Sequence, residues 1–516
     1  MIDNPADVKA PTWRTWLTAL VVASSGVTFA AVSIWALNVG AILSSLRLVQ
    51  LVAVEVVACA AVLAVVAKRR GHLTAWAMTL SVGGLLFGAG DALARRVGTP
   101  GAWALFVVAV SSCAVLLHRV AASNLRSVRI LAFWLSVFLL LQPPLSIVLD
   151  RDDNLSRILA SADLPVVNMG SAEDFYVVVL DGYASLATLR DDFSFDSPLR
   201  NVLMSEGFEV AEAAWSPSTW THVAVATLLN LEMPLLGGEG VTDADSAVLL
   251  GMIRGNARLF SMFHEAGYAL TYVESGWVGS VCSDVPDVCI RRPFVDDAIQ
   301  TVIDRSLIGD LAEGRWGHAF ARAGIRSLGE VERMLGELGT NGANDMVFAH
   351  VMLPHGPYVL GSDCELTGTL VPDPANDQAA QANGHIARAA YLTQVRCVDS
   401  WLTEIAAQVP ENAAVVITGD HGTLFRGQIL RGAATWSADD IAERARTFLA
   451  TKLPASCSRN SSASGSLEAM MDSSDCLLGT HLDRTATETL WLLGSGGVPR
   501  CIKQPSEDLA IVDVPC

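Results

Sequence analysis

The sequence predicts two architectures in one chain: an N-terminal helical membrane domain of about five spans, then an α/β domain with a largely parallel central sheet. Three observations carry this reading. Apolar stretches of membrane-spanning length recur before residue 150. Beyond it, short continuous apolar strands alternate with helical patterns, the order that βαβ units require. Three of those strands finish in an acid or an imidazole beside a glycine, at Asp181–Gly182, His355–Gly356 and Asp420–His421–Gly422.

The expected spans are 16–36, 48–67, 73–90, 101–117 and 130–149. The first is too long for a cleaved signal peptide, lacks a small-x-small cleavage site and runs at once into further spans. Lys68, Arg69 and Arg70 lie between spans two and three, and Arg119, Arg126 and Arg129 between spans four and five. Basic loops face the cytoplasm. That places the N-terminus, with Lys9 and Arg14, inside and everything after residue 150 outside. Arg95 and Arg96 in an opposite loop run against this, with Asp91 nearby. Glu55, mid-span, is read as a helix-packing residue.

Charge divides the chain at the same point. Residues 1–150 hold 11 Lys or Arg against 5 acids, and the remainder holds 24 bases against 48 acids. So acidic a domain has no electrostatic footprint for nucleic acid, which is excluded as a partner. Cys59 and Cys113 fall within spans; Cys282, Cys289, Cys364, Cys397, Cys457, Cys476, Cys501 and Cys516 all lie beyond them. An even set in an extracytoplasmic domain indicates disulfides. Proximity favours 282–289, 364–397, 457–476 and 501–516, and no CxxC pair suggests a metal instead.

After a polar connector, 151–172, the outer domain 173–516 opens with FYVVVLDGYAS at 175–185. ALTYVES (269–275), DMVFAHVMLPH (345–355) and AVVITG (414–419) read as further strands. Helical patterns cover 222–231, 256–266, 296–312, 326–338 and 387–408. Polar stretches 362–384 and 456–476, begun or bounded by cysteines, read as pinned surface loops. In parallel sheets, ligands bind beyond the carboxyl ends of the strands. Asp181, His355 and the Asp420–His421 pair all sit there.

Adjacent Asp420 and His421 on a glycine-flanked turn can address one cation, and carboxylate with imidazole suits Zn²⁺ or Mn²⁺. The competing reading is a hydrogen-bonded pair at a strand end, and Asp181 alone could be a turn or capping residue. In WSPSTWTHVAVATLLN (215–230), Ser216, Pro217, Ser218 and Thr219 look like a helix start, followed at once by Thr221. A hydroxyl on a first helical turn sits in positive potential, suited to an anionic substrate. His350 and His355 in FAHVMLPHGPY could serve a buried network or bind substrate oxygens; His481 is a faint further ligand.

Taken in order, VVVLDGY, the hydroxyl helix ending LLN, FAHVMLPHGPY and VVITGDHGT resemble the sulfatase-like branch of the alkaline phosphatase superfamily. The closer resemblance is to its membrane-anchored bacterial members, lipoteichoic-acid-synthase-like and phosphoethanolamine-transferase-like enzymes, with AERARTFLATKLP (442–454) similar to their following segment. The resemblance implies an alkaline-phosphatase-like fold with one divalent metal ion, Mn or Zn, held by Asp181, Thr221, Asp420 and His421. It implies Thr221 as nucleophile, with Thr219 the alternative, and His355 and His350 as substrate-binding residues. The sulfatase pattern of Cys or Ser followed by x-Pro-x-Arg is missing: around Pro217 its ends are Trp215 and Thr219. That argues against sulfate-ester hydrolysis. No second metal set is found. The reaction so implied moves a phospho-alcohol headgroup from a membrane phospholipid donor to an envelope glycan or lipid acceptor. A phosphodiesterase or phosphatase on the same site, and a non-catalytic envelope scaffold, are the alternatives.

Overall fold

The computed structural model describes the chain except for residues 1–11, 38–44, 71–72, 98, 124–129, 131, 140, 142–172, 234–242, 276, 278–279, 292–305, 337–343, 373–383, 427–432, 458–462, 494–499, 506–511 and 516. It divides into two compact units, Met1–Asp152 with Val295–Arg315, and Asp153–Phe294 with Trp316–Cys516.

The first unit is helical: α1 (Trp13–Leu37), α2 (Ser45–Arg70), α3 (Leu73–Gly88), α4 (Gly90–Val97) and α5 (Thr99–Ser123). Its helices approach closely through small residues. A Cβ at Gly26 would lie 1.9 Å from the Ser81 carbonyl oxygen, and one at Gly84 would lie 2.7 Å from Val27. Ser25 Oγ and Ser81 Oγ lie 3.3 Å apart across the same seam. Among the described residues, one helix is long and apolar enough to cross a membrane, at Pro100–Leu117, and Gln50–Val66 and Leu73–Gly88 are shorter apolar helices. Half of the fifth expected span, including 142–149, lies outside the described residues, and 132–139 within it are helical. Glu55, on α2, has a buried Oε2 with no hydrogen-bond partner.

In the second unit a seven-stranded sheet forms from β1 (Phe175–Leu180), β2 (Glu209–Val210), β3 (Ala269–Val273), β4 (Val288–Ile290), β5 (Asp345–Val351), β6 (Ala414–Gly419) and β7 (Leu449–Lys452). The spatial order is β2-β7-β6-β1-β5-β3-β4. The run β6-β1-β5-β3-β4 is parallel, and β7 and β2 close one side antiparallel. The expected α/β class with a largely parallel sheet is what is found. Every residue of β1 and β6 is buried, as the unbroken apolar runs require of strands covered on both faces.

Helices α6 (Thr221–Asn230), α7 (Gly309–Gly336), α8 (Gly384–Gln408) and α9 (Ala438–Ala445) are among those flanking the strands. Where the sequence suggests separate helices at 296–312 and 326–338, α7 runs unbroken from 309 to 336, and 292–305 lie outside the described residues. Gly324 shows why a glycine falls inside it. Its missing Cβ would sit 2.7 Å from Leu353 Cγ, so the helix can pack flush there. Three of the expected disulfides are present, Cys282–Cys289, Cys364–Cys397 and Cys457–Cys476. The fourth expected pair includes Cys516, outside the described residues.

Candidate active site

Strand register assembles the site. On β1, Leu180 pairs with Val351 of β5 on one side and with Gly419 of β6 on the other. The residues that follow, Asp181 and Asp420, therefore emerge side by side at the carboxyl edge of the sheet. Each is tied down by its own backbone: Asp181 N donates to Val351 O at 2.9 Å and Asp420 N to Leu180 O at 3.2 Å. Gly182 turns the chain away with φ +72, a left-handed conformation that favours glycine. Gly422 is demanded by space instead, because a Cβ there would lie 2.2 Å from the Glu443 carbonyl oxygen.

Asp181, Asp420 and His421 are all buried and offer ligand atoms within 4.8 Å of one another. Asp420 Oδ1 accepts from Gly182 N at 2.9 Å and His421 N at 2.8 Å. Its Oδ2, and Asp181 Oδ1, are buried with no hydrogen-bond partner. Both lie near His421 Nε2, Asp420 Oδ2 at 3.3 Å and Asp181 Oδ1 at 3.9 Å, and such unsatisfied carboxylate oxygens are what a cation repairs. Burial, then the neighbouring Asp181 carboxylate, pushes Asp420 well above the ordinary range. His421 is pushed well down, first by burial and then by Arg444, so its ring is neutral. Its Nδ1–H is committed to the Gly422 carbonyl at 2.9 Å, leaving the Nε2 lone pair for the cluster. The donor set fits a divalent ion of the Zn or Mn class.

The hydroxyls before α6 separate cleanly. Ser216 Oγ donates to the Asp420 carbonyl and bonds Ser218 O at 2.8 Å. Thr219 is fully buried; its hydroxyl accepts from Leu493 N at 2.8 Å and donates to Leu493 O at 3.2 Å. Thr221, the first residue of α6, is partly open to a cleft, with Oγ1 3.1 Å from His421 Nε2. The cleft measures about 260 Å³ and is lined by Asp181, Trp220, Thr221, His222, Trp277, Met352, Leu353 and His355, among others.

His355 is the more accessible of the two expected histidines, with 28% of its side chain exposed and Nε2 3.9 Å from Asp181 Oδ1. Its Nδ1 pairs with the Gly356 carbonyl at 2.5 Å. His350 is fully buried, 3.7 Å from Asp181 Oδ2, and burial pushes it down to about 4. It backs Asp181 without facing the cleft. His481 is exposed on the segment after the helix Ser466–Leu478.

His222 has no role assigned by the sequence motifs, yet the structure brings it to the site. It lines the cleft beside Thr221, its ring 4.9 Å from Trp277, and burial holds it down to about 4. The available signal was adjacency to Thr221 on the first turn of α6. Arg444 and Trp277 were also missed. Arg444 falls inside the AERARTFLATKLP segment, but nothing local marks it as part of the site, since it reaches the cluster from α9, more than twenty residues after His421.

No family model and no curated protein matches the sequence. Solved structures similar to the chain include the C-terminal periplasmic domain of EptC from Escherichia coli in complex with Zn, at 13% identity and TM-score 0.40, covering 69% of this chain and 96% of that one. Another is the integral membrane lipooligosaccharide phosphoethanolamine transferase A (EptA) from Neisseria meningitidis, at 13% identity and TM-score 0.37, covering 86% and 88%. A third is BT1596, a 2-O GAG sulfatase, at 12% identity and TM-score 0.38, covering 63% and 73%.

Proposed function

We propose that the chain is a membrane-anchored, metal-dependent phosphotransferase that moves a phospho-alcohol headgroup from a membrane lipid to a cell-envelope acceptor through a phospho-threonine at Thr221. The observation that carries this is one hydroxyl, Thr221 Oγ1, set 3.1 Å from His421 Nε2 beside two orphaned carboxylate oxygens. The competing hydroxyls at Ser216 and Thr219 are consumed by backbone bonds. Asp181, Asp420, His421 and Thr221 would hold the ion. When bound it would lower the pKa of the threonine hydroxyl and neutralise charge at phosphorus.

Thr221 Oγ1 then attacks phosphorus, the P–O bond to the lipid alcohol breaks, and the lipid leaves as its alcohol with the proton that threonine released. His355, at the open side of the cleft, is placed to hold phosphoryl oxygens at Nε2. His350 acts behind it by positioning Asp181. In the second step an acceptor hydroxyl attacks the same phosphorus and Thr221 recovers its proton. With water in place of the acceptor the site is a phosphodiesterase.

Five N-terminal spans with the N-terminus cytoplasmic would keep the second unit outside and beside its donor. The three disulfides, all in that unit, support an oxidising compartment. The test is intact-mass measurement of the full chain after incubation with phospholipid vesicles and Mn²⁺ or Zn²⁺. An adduct mapped to Thr221, absent from Thr221→Ala, is expected, and its mass identifies the headgroup. Unchanged turnover in Thr221→Ala would refute the assignment.

A further inference from the structure

A second cation is built into this site. Arg444 lies in the last turn of α9 and is 8% exposed. Its Nε donates to Thr219 O at 3.0 Å and its Nη1 to Gly422 O at 3.1 Å. Those two bonds span the loop before Thr221 and the loop carrying His421, and they aim Nη2 at His421 Nε2, 2.9 Å away. That nitrogen is also the neighbour of Thr221 Oγ1. The guanidinium and the proposed nucleophile thus share one atom as a common contact.

This is a costly place for a guanidinium if its role is only structural. Arg is protonated at any working pH and is expensive to bury. Here it also repels any divalent ion drawn to Asp181 and Asp420, and it occupies the one lone pair that His421 has to give. The formal charges explain the placement. Two carboxylates and one divalent ion cancel, so the ligand set by itself carries no net positive charge. Arg444 makes the set +1. Among the described residues lining the cleft there is no lysine or arginine; Arg444 itself stands outside that lining, one contact away through His421 Nε2, the neighbour of Thr221 Oγ1.

We propose that Arg444 is the electrostatic counterpart of a second metal. Its Nη2 passes from His421 Nε2 to a non-bridging oxygen of the bound substrate, so one divalent ion suffices and the preferred substrate is a phosphodiester, with one negative charge, over a phosphomonoester, with two. This rests on the phosphotransferase reading of the same site. A planar fork held at two of its nitrogens presents the third in a fixed direction, which suits a phosphoryl oxygen.

The test uses the full chain with Arg444→Met, which keeps length and loses charge, and Arg444→Lys, which keeps charge. Metal affinity is read by chelator competition, and turnover on bis(p-nitrophenyl) phosphate and p-nitrophenyl phosphate. Arg444→Met is expected to bind Mn²⁺ or Zn²⁺ at least tenfold more tightly, because a like charge has gone. Its diester turnover should fall at least a hundredfold. A purely structural role would lower turnover on both esters alike, so the readout specific to the charge is a fall in the diester-to-monoester ratio of kcat/KM in Arg444→Met that Arg444→Lys restores. Arg444→Lys should hold the metal within threefold of wild type and keep at least a tenth of the diester turnover. Wild type should favour the diester in kcat/KM by at least tenfold.

Weaker metal binding in Arg444→Met, diester turnover within threefold of wild type, or a monoester preference would each overturn the proposal. Should Arg444→Met not fold, a lysine variant with under a hundredth of the diester turnover overturns it as well. Thr221→Ala separates the two readings. If it turns over normally the phospho-threonine reading fails, whereas failure of the arginine results alone leaves that reading standing.

Discussion

The two units bury opposite kinds of side chain. In the helical unit the buried positions include Ala19, Ala23, Ser25, Thr28, Ala77, Thr79 and Ser81, while Val54, Val57, Val65, Val107, Val108, Val115 and Leu116 stand exposed. In the α/β unit the large, fully buried side chains include Tyr176, Tyr183, Tyr272, Phe260, Phe263 and Phe348, and exposed large apolar residues are isolated, as at Met204 and Ile386. This is the contrast expected if the helical unit, as proposed, faces hydrocarbon and the α/β unit faces water. Water drives large apolar groups inward. In hydrocarbon a surface valine gains nothing by hiding, and helices associate through small residues that let backbones meet.

The largest effect is expected at the carboxylates of the α/β unit. Asp420→Asn in the α/β unit should abolish stoichiometric metal binding and cut turnover by roughly a thousandfold or more, since one carboxylate of the proposed ligand set is lost. It should leave the fold intact, because a buried carboxylate crowded by Asp181 is replaced by a neutral amide. Metal analysis and circular dichroism of the purified chain check both halves. Loss of fold would show that Asp420 is structural.

In the helical unit the sharpest expected loss is Gly26→Leu, where the first added carbon would meet the Ser81 carbonyl oxygen at 1.9 Å. Separating α1 from α3 should cost about 3 kcal/mol or more, as severe overpacking does. A lower detergent-solubilised melting temperature with unchanged metal affinity is the expected pattern. Leu402→Ala, at a fully buried position on α8, should cost about 2–5 kcal/mol in the α/β unit by chemical denaturation.

A smaller, pH-dependent effect is expected at Asp399. Burial pushes its carboxyl up to about 6, against donors at Tyr183 Oη and, at 2.6 Å, Ser197 Oγ. The folded protein holds this proton more tightly than the unfolded chain. Its contribution to stability is therefore present below about pH 4 and lost as the pH rises through about 6. Asp399→Asn should flatten that loss, by about 1–2 kcal/mol after allowing for the altered hydrogen bonds. Melting temperatures of wild type and variant that run parallel from pH 4 to 8 would contradict it. Smallest of all, Val108→Ala on the exposed face of α5 should change stability in detergent by less than about 0.5 kcal/mol. A larger loss there would mean the face packs against protein.

Much of this was legible in the chain because it depends on local pattern. The unbroken apolar runs 175–180 and 414–419 announced strands covered on both faces, and Asp181 and Asp420 one residue beyond them announced the edge where the cluster forms. Three disulfide partners were readable from proximity alone. The separation of Thr221 from Thr219 was not readable, since both are hydroxyls near one helix start; what distinguishes them is Leu493, some 270 residues on. His222 looked featureless for the same reason. Its partner Trp277 approaches from another part of the chain.

By itself, then, the sequence determined the class of each unit, the strands, and the residue types able to bind a cation, because hydrophobic period and side-chain chemistry are local properties. Tertiary structure alone decided that Leu180 pairs with Gly419, so that two acids meet. It alone committed Thr219 and freed Thr221, and it alone brought Arg444 from α9 to 2.9 Å from His421. Register and long-range hydrogen bonding are settled only when the whole sheet packs, and the charge balance of the site is settled with them.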